Sequence, residues 1–292
     1  MHIIDRITNS NENKSSNLSS LQSLCFKKLK TNPFPNQKNE IWRLTNKTKL
    51  SRFLNYSLSE KFYSPKIPGV VDKQNILRII IGEDKKYDFK TEKWEIKELE
   101  NEVILNVIKE KINDSDKTEN WSNLLNHCLS NSKNILGLNI SGTDIPNIEI
   151  IANSKNNLFC SKTIFLNIEK NTTVNISQIN LSDENSSLSK TTYLNLGENS
   201  VINHGIISYG NSKSHIINSL TVSQSQNSEY NLGSLQFNFD FARFEISIEQ
   251  IEGNAKTNLK GMQITRDNEQ ISTYAKIKFN GPNGFLDQLN KS

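Results

Sequence analysis

The sequence predicts a mainly β protein, a solenoid preceded by a small helical N-terminal region. Helical stripes stop after Ser130 and short β-rich runs follow one another at fairly even spacing. Those runs continue without strong Asn-Gly hairpin signals, and Asn repeatedly falls inside or just after them, where β-helix corners use it. Apolar and polar residues alternate within many runs, giving each a core face and a solvent face. A sandwich or a barrel shares that alternation; the missing hairpin signals and the placement of Asn favour the solenoid.

In chain order, residues 9–20 are almost wholly polar and are expected to fray. Asn17 or Ser19 is suited to cap a helix running to about Lys30, with Leu18, Leu21, Leu24, Cys25 and Leu29 on one face. Lys27, Lys28 and Lys30 complement the dipole at its carboxyl end, and Pro33 and Pro35 end it. The β-branched run 76–81 reads as a strand followed by a turn at Gly82-Glu83-Asp84. Leu99, Val103, Val107 and Ile108 form a helical stripe ending near Lys111. A further helix is expected from about Glu119, with Trp121, Leu124, Leu125 and Cys128 inward. Residues 1–130 thus form a mainly helical region with a flexible start, and 131–292 the strands. The clearest strand runs are 135–140, 163–168, 173–179, 191–196, 200–203, 215–218, 244–248, 257–260 and 274–279.

With 292 residues, 35% of them hydrophobic, the chain can bury a sizeable core. Lys and Arg number 35 against 31 acidic residues and are scattered, so a net charge of +4 gives no nucleic-acid footprint. A mean hydropathy of −0.57 reflects abundant Asn, Ser and Lys. Asn suits turns, and a codon-biased genome explains the same abundance without function. No apolar run approaches the ~20 residues that span a bilayer, and the start lacks a signal-peptide pattern. The expectation is a soluble, cytoplasmic protein without a membrane partner. Cys25, Cys128 and Cys160 show no CxxC spacing, which fits a reducing compartment rather than a disulfide framework or a metal knuckle.

Candidate chemistry is sparse. His204 and His215 fall on neighbouring strand runs, but no carboxylate or cysteine pattern completes a tetrahedral metal site, and both are expected as polar surface residues. His127 and Cys128 are adjacent on a helix and point apart; Cys128 and Cys160 are expected in the core. There is no phosphate-binding or dinucleotide-binding glycine loop. Asp183, Glu184 and Asp240 are the carboxylates that a β-helix carbohydrate lyase or hydrolase would need, yet they read as solvated turn residues. No catalytic residue and no metal site is assigned. A purely structural solenoid, pairing through exposed edges, is the third class.

Two segments carry a family resemblance. Asn32-Pro33-Phe34-Pro35-Asn36-Gln37-Lys38-Asn39-Glu40-Ile41-Trp42-Arg43-Leu44-Thr45-Asn46 resembles the SufD signature, in which a Pro-containing turn leads through Lys and Glu into a Trp-Arg/Lys-aromatic-Thr segment. Its prolines fix an extended entry, Trp42 is a large apolar anchor, and a helical turn sets Glu40 and Arg43 at i,i+3. Phe239-Asp240-Phe241-Ala242-Arg243-Phe244-Glu245-Ile246, followed by Glu252-Gly253-Asn254-Ala255 and Leu259-Lys260-Gly261, is similar to the SufB/SufD core pattern of an Arg-x-Glu strand, a Gly-x-x-Ala turn and a Leu-x-Gly strand. The signature positions are therefore Pro35, Glu40, Trp42, Arg43, Thr45, Arg243, Glu245, Gly253 and Gly261.

The resemblance implies a right-handed parallel β-helix in a SufB–SufC–SufD complex, where the chain is a non-catalytic scaffold for iron–sulfur cluster assembly. It implies a SufB-like partner on the β-helix and a SufC-like ATPase reached through a C-terminal segment without counterpart here. The cluster is built by the complex and not held by this chain alone; flavin is left unassigned. Where family members often carry His before a Pro-containing turn, this sequence reads Lys278-Phe279-Asn280-Gly281-Pro282. The family's late-core histidine also has no counterpart, and the β-helix reads as C-terminally incomplete.

Overall fold

A computed structural model describes residues 16–31, 35, 40–59, 61–65, 75–114 and 121–292. Among the described residues four α-helices precede most of the strands: α1 (Ser16–Thr31), α2 (Lys47–Phe53), α3 (Asn101–Asp114) and α4 (Trp121–Cys128). Short strands lie among them: β1 (Ser57–Leu58), β2 (Ile76–Ile80), β3 (Phe89–Lys90) and β4 (Trp94–Glu98). Twelve strands then follow: β5 (Ile135–Gly142), β6 (Asn147–Ser154), β7 (Leu158–Ile168), β8 (Thr173–Ser182), β9 (Ser187–Leu196) and β10 (Val201–Tyr209), then β11 (His215–Gln224), β12 (Glu229–Phe237), β13 (Phe241–Gln250), β14 (Lys256–Ile264), β15 (Gln270–Phe279) and β16 (Phe285–Lys291).

These strands alternate between two sheets. One runs β15-β13-β11-β9-β7-β5-β4-β3, with β1 beside β7; the other runs β16-β14-β12-β10-β8-β6-β2. From β5 onward every strand pairs parallel with the strand two places along, as in Thr163 with Thr191 and His204 with Leu232. The chain is a parallel β-solenoid, each coil giving one strand to each sheet. Strands from before residue 131 join both sheets: β2 pairs with β6, and β4 pairs antiparallel with β5.

The corners explain the asparagines. Asn171, Asn199, Asn227, Asn254 and Asn283 all have positive φ, between 55° and 61°, a left-handed conformation that Asn tolerates better than other residues with a side chain. They stack from coil to coil: the Asn199 amide donates to Asn171 at 3.1 Å and Asn227 to Asn199 at 3.1 Å, both across 28 residues of sequence. A second ladder runs up the outer face of the second sheet, through Asn147, Asn175, Asn203, Asn231 and Asn258. The 28-residue step sets the length of one coil.

Two cores result. Inside the coils Ile150, Ile164, Leu194, Ile206, Val222 and Phe244 are buried. Against the outer face of the first sheet, Phe159, Phe165, Tyr193, Ile217 and Phe241 are covered by Leu21, Cys25, Phe53, Ile108 and Trp121 from the helices. Burying such faces is the main stabilising term, about 25 cal/mol per Å² of apolar surface.

The helices differ in detail from the sequence reading. Ser19 lies inside α1, which begins by Ser16, so it is not the cap; the side chain of Asn17, Pro33 and Glu119 lie outside the described residues. The buried stripe of α3 is Ile104, Leu105, Ile108 and Ile112, while Val103 is exposed, because the helix begins at Asn101 and Leu99 precedes it. The sequence runs omit α2, which Asn46 caps by accepting from the Thr48 and Lys49 amides, and also β1, β3, β4, β6, β12 and β16.

Candidate functional site

The two signature segments, about two hundred residues apart, meet on the outer face of the first sheet. Glu40–Trp42 forms a single 3₁₀ turn that delivers the Trp42 ring into the helical core, edge-on to Trp121 at 5.6 Å. Arg243, directed outward from β13, lays its guanidinium over the Trp42 ring at 3.9 Å and donates to the Ile41 carbonyl at 2.8 Å. Its Nε donates to Glu245 at 2.5 Å, so the buried cation is stacked, hydrogen-bonded and ion-paired at once. The second oxygen of Glu245 is buried without a partner. Arg suits this position because its planar group can stack and fork together.

The other signature positions support this joint or the corners. Pro35 is buried, and Thr45 is buried with its amide donating to the Trp42 carbonyl. Glu40 and Arg43 are exposed at the ends of the turn and form no ion pair with each other. The Gly253 carbonyl accepts from the Asn227 amide at the corner, and a Cβ there would come within 3.0 Å of the Pro282 carbonyl. Gly261 lies on β14, where a Cβ would meet the Asn290 side chain.

A second tie lies beside the first. Asp240 receives Lys49 of α2 at 2.7 Å, Arg52 at 3.6 Å and His215 at 3.2 Å. Burial opposes ionisation of Asp240, but Lys49, with His215, outweighs it and holds the carboxyl below its usual range. Burial likewise lowers the His215 pKa against the pull of Asp240. A neutral ring donating from Nε2 leaves Nδ1 as a bare acceptor, matching its lack of a partner. The expectation of Asp240 as a solvated turn residue is thus corrected: two cations and a histidine enclose it. Asp183 and Glu184 do sit in turns, half-exposed and paired with Lys155 and Lys213.

The interior of the coils carries polar groups that the sequence reading missed. Lys162 donates to the Ile81 carbonyl and to Asn134, and burial lowers its pKa to about 8. One coil on, Lys190 donates to Gln178, and burial lowers its pKa to about 7. Lys162 and Lys190 are register partners on β7 and β9, a repetition at the coil length that marks inward positions. His204 shares a hydrogen bond with the Tyr230 hydroxyl at 2.9 Å, and its pKa falls to about 3 through burial and then the charge of Lys190.

His204 and His215 are therefore not polar surface residues: each side chain is buried, one inside the coils and one under α2, and they do not come together. The reason is that each has a private polar partner, Tyr230 or Asp240, which makes burial tolerable. His127 is buried against Tyr193, bonded at 2.8 Å, with its pKa lowered to about 3 by burial. Cys25, Cys128 and Cys160 are buried and form no disulfide with one another, and burial raises the Cys160 pKa. Among the described residues no three His, Cys, Asp or Glu side chains gather as a metal-binding group, and no helix is long and apolar enough to cross a membrane.

The outermost strands of the two sheets, β15 and β16, carry Phe279, Phe285 and Leu289 exposed to about half their surface.

Residues 150–292 match the family model described as SUF system FeS cluster assembly, SufBD core domain. The match runs from within β6 through β16 and includes Arg243, Glu245, Gly253 and Gly261. A comparison with curated proteins gives no match.

Proposed function

Because its β-helix belongs to the SufB/SufD family of the SUF iron–sulfur cluster assembly system, we propose that this chain is a SufD-like, non-catalytic scaffold subunit of a SufB–SufC–SufD complex. The observation that carries the SufD-like reading is the joint at Trp42. The Pro/Trp segment that distinguishes the SufD signature is tied by stacking and a backbone hydrogen bond to the Arg-x-Glu strand of the core. A free terminal segment would make no such demand on Arg243.

The SufB-like partner meets this chain through its β-helix, as the family resemblance implies. The cluster is cargo of the assembled complex, and the SufC-like ATPase supplies nucleotide chemistry, for which this chain has no phosphate loop. Such a complex works in the cytoplasm and needs neither nucleic acid nor membrane.

Co-expression with the SufB-type and SufC-type proteins of the same source tests this. The expected outcome is a co-purifying complex whose cluster loading drops when this chain is left out. A chain that binds neither partner overturns the assignment, and an intact complex with unchanged loading reduces it to a structural role.

A further inference from the structure

Lys190 differs from the other buried groups in that its charge has no counterpart. Its side chain enters the coils from β9, 1% exposed, and its hydrogen bond goes to Oε1 of a neutral amide, Gln178. No carboxylate among the described residues acts on it. Lys162, its register partner on β7, is better supplied, with the Ile81 carbonyl and Asn134 as acceptors.

Hydrogen-bond donors outnumber acceptors around Lys190. Oε1 of Gln178 accepts from Lys190 and from Thr192, which fixes the amide and leaves its buried Nε2 without a partner. Asn218, the register neighbour of Lys190 on β11, is 1% exposed and unpartnered at both Nδ2 and Oδ1. His204 follows on β10, two residues before the register partner of Gln178, and feels the charge of Lys190. A neutral His204 and Tyr230 together hold two polar hydrogens but share a single hydrogen bond, through Nδ1, and Nε2 has no partner. Whichever way that bond runs, one N–H or O–H is left over. Against these donors stand two unpartnered neutral oxygens, Oδ1 of Asn218 and Oδ1 of Asn180, the latter two residues beyond Gln178 on β8.

We propose that Lys190, Gln178, Asn218 and His204 form a site inside the coils for one small inorganic anion of halide size, held by the ammonium and the surplus N–H groups. A buried charge is costly unless paired, and neutral amide oxygens do not pair it; an anion taken from solution does. All four side chains are exposed by 2% or less, which favours a guest one atom across over sulfate or phosphate. The other titratable groups facing Lys190 are Lys162, His204 and Tyr230, and none supplies a negative charge near neutral pH. Burial alone brings the Lys190 pKa to about 7, so near neutral pH the anion enters together with a proton and is lost as the amine deprotonates. The site stands on the coil geometry and is independent of the subunit assignment.

The test uses the full chain in sodium bromide, with sodium gluconate of equal ionic strength as the bulky-anion control. At pH 6 the thermal midpoint is expected to rise by about 2 °C for each tenfold increase in bromide beyond its dissociation constant, and not with gluconate. At pH 9 the bromide affinity falls at least tenfold. Lys190→Met abolishes the bromide response, and Asn218→Leu, which keeps the lysine, weakens it at least tenfold. Crystals of the wild type soaked in bromide are expected to show an anomalous peak within hydrogen-bonding reach of Lys190 Nζ. Equal responses to bromide and gluconate, a bromide response that survives Lys190→Met, or ordered water at Lys190 without an anomalous peak overturns the proposal. Should Lys190→Met fail to fold, the bromide crystal decides alone.

Discussion

Arg243 and Glu245 are an ion pair almost wholly removed from water, with side chains 4% and 2% exposed. Removing one member leaves the other buried and uncompensated, which costs about 3–5 kcal/mol, whereas replacing both with apolar residues of similar volume is often neutral. Arg243→Met is therefore expected to lower the unfolding free energy by about that amount, and Arg243→Met with Glu245→Leu to recover most of it. Denaturant melts of the three proteins decide the matter. If the double variant is as unstable as the single, the Trp42 stack and not the charge pair holds the joint. Trp42 and Arg243 were each legible in the sequence as parts of short patterns. Their meeting was not, because it depends on which side of β13 faces the helices, and 202 residues separate Arg243 from Ile41.

At the level of the elements, the corner asparagines do two things: each accepts a left-handed backbone, and each bonds the next coil. The two are separable. Asn199→Gly keeps the conformation and loses the amide, while Asn199→Ala loses both. A residue held in a left-handed conformation costs of order 1–3 kcal/mol when it has an ordinary side chain. The alanine variant is expected to melt lower than the glycine variant, with the wild type above both; thermal scans showing glycine as the worse substitution would sink this account. The sequence displayed these residues openly. Asn147, Asn175, Asn203 and Asn231, like Asn171, Asn199 and Asn227, recur at the coil length. Codon bias was an adequate explanation of their number but not of their spacing. The strands themselves were readable from alternation. Their pairing was not, since a run such as 173–179 looks the same in a sandwich as in a solenoid. The interior lysines hid for the opposite reason, as Lys inside a strand ordinarily marks a solvent face.

For the whole molecule, buried neutral bases make stability depend on pH. His127 and His204 have folded pKa values of about 3, below the ordinary value of 6.5, so the unfolded chain binds more protons between those limits. The histidines' contribution is complete above about pH 6.5 and is lost as the pH drops towards 3, by up to about 1.4 kcal/mol per pH unit for each histidine. Lys162 and Lys190, at about 8 and about 7 when folded, act with the same sign from there up to the ordinary value of 10.5, so stability also rises through mildly alkaline pH. Unfolding free energies measured from pH 4 to 7 are expected to fall steeply with acid in the wild type and less so in His127→Gln with His204→Gln. Equal slopes would mean that the rings are protonated in the folded protein.

The Trp42 joint has a consequence for how the chain is made. Translation proceeds from the amino end at about 5–20 residues per second, so some 10–40 seconds pass between the emergence of Trp42 from the ribosome and that of Arg243. During that interval the helices can already close on Phe159, Phe165 and Tyr193 of the earlier coils and Trp42 on Trp121, but the Trp42 ring lacks the guanidinium that covers its face. A solenoid built coil upon coil can accrete as it is synthesised; in this one the Trp42 turn is locked only when the fifth coil arrives, so one face of that ring waits on the synthesis of β13.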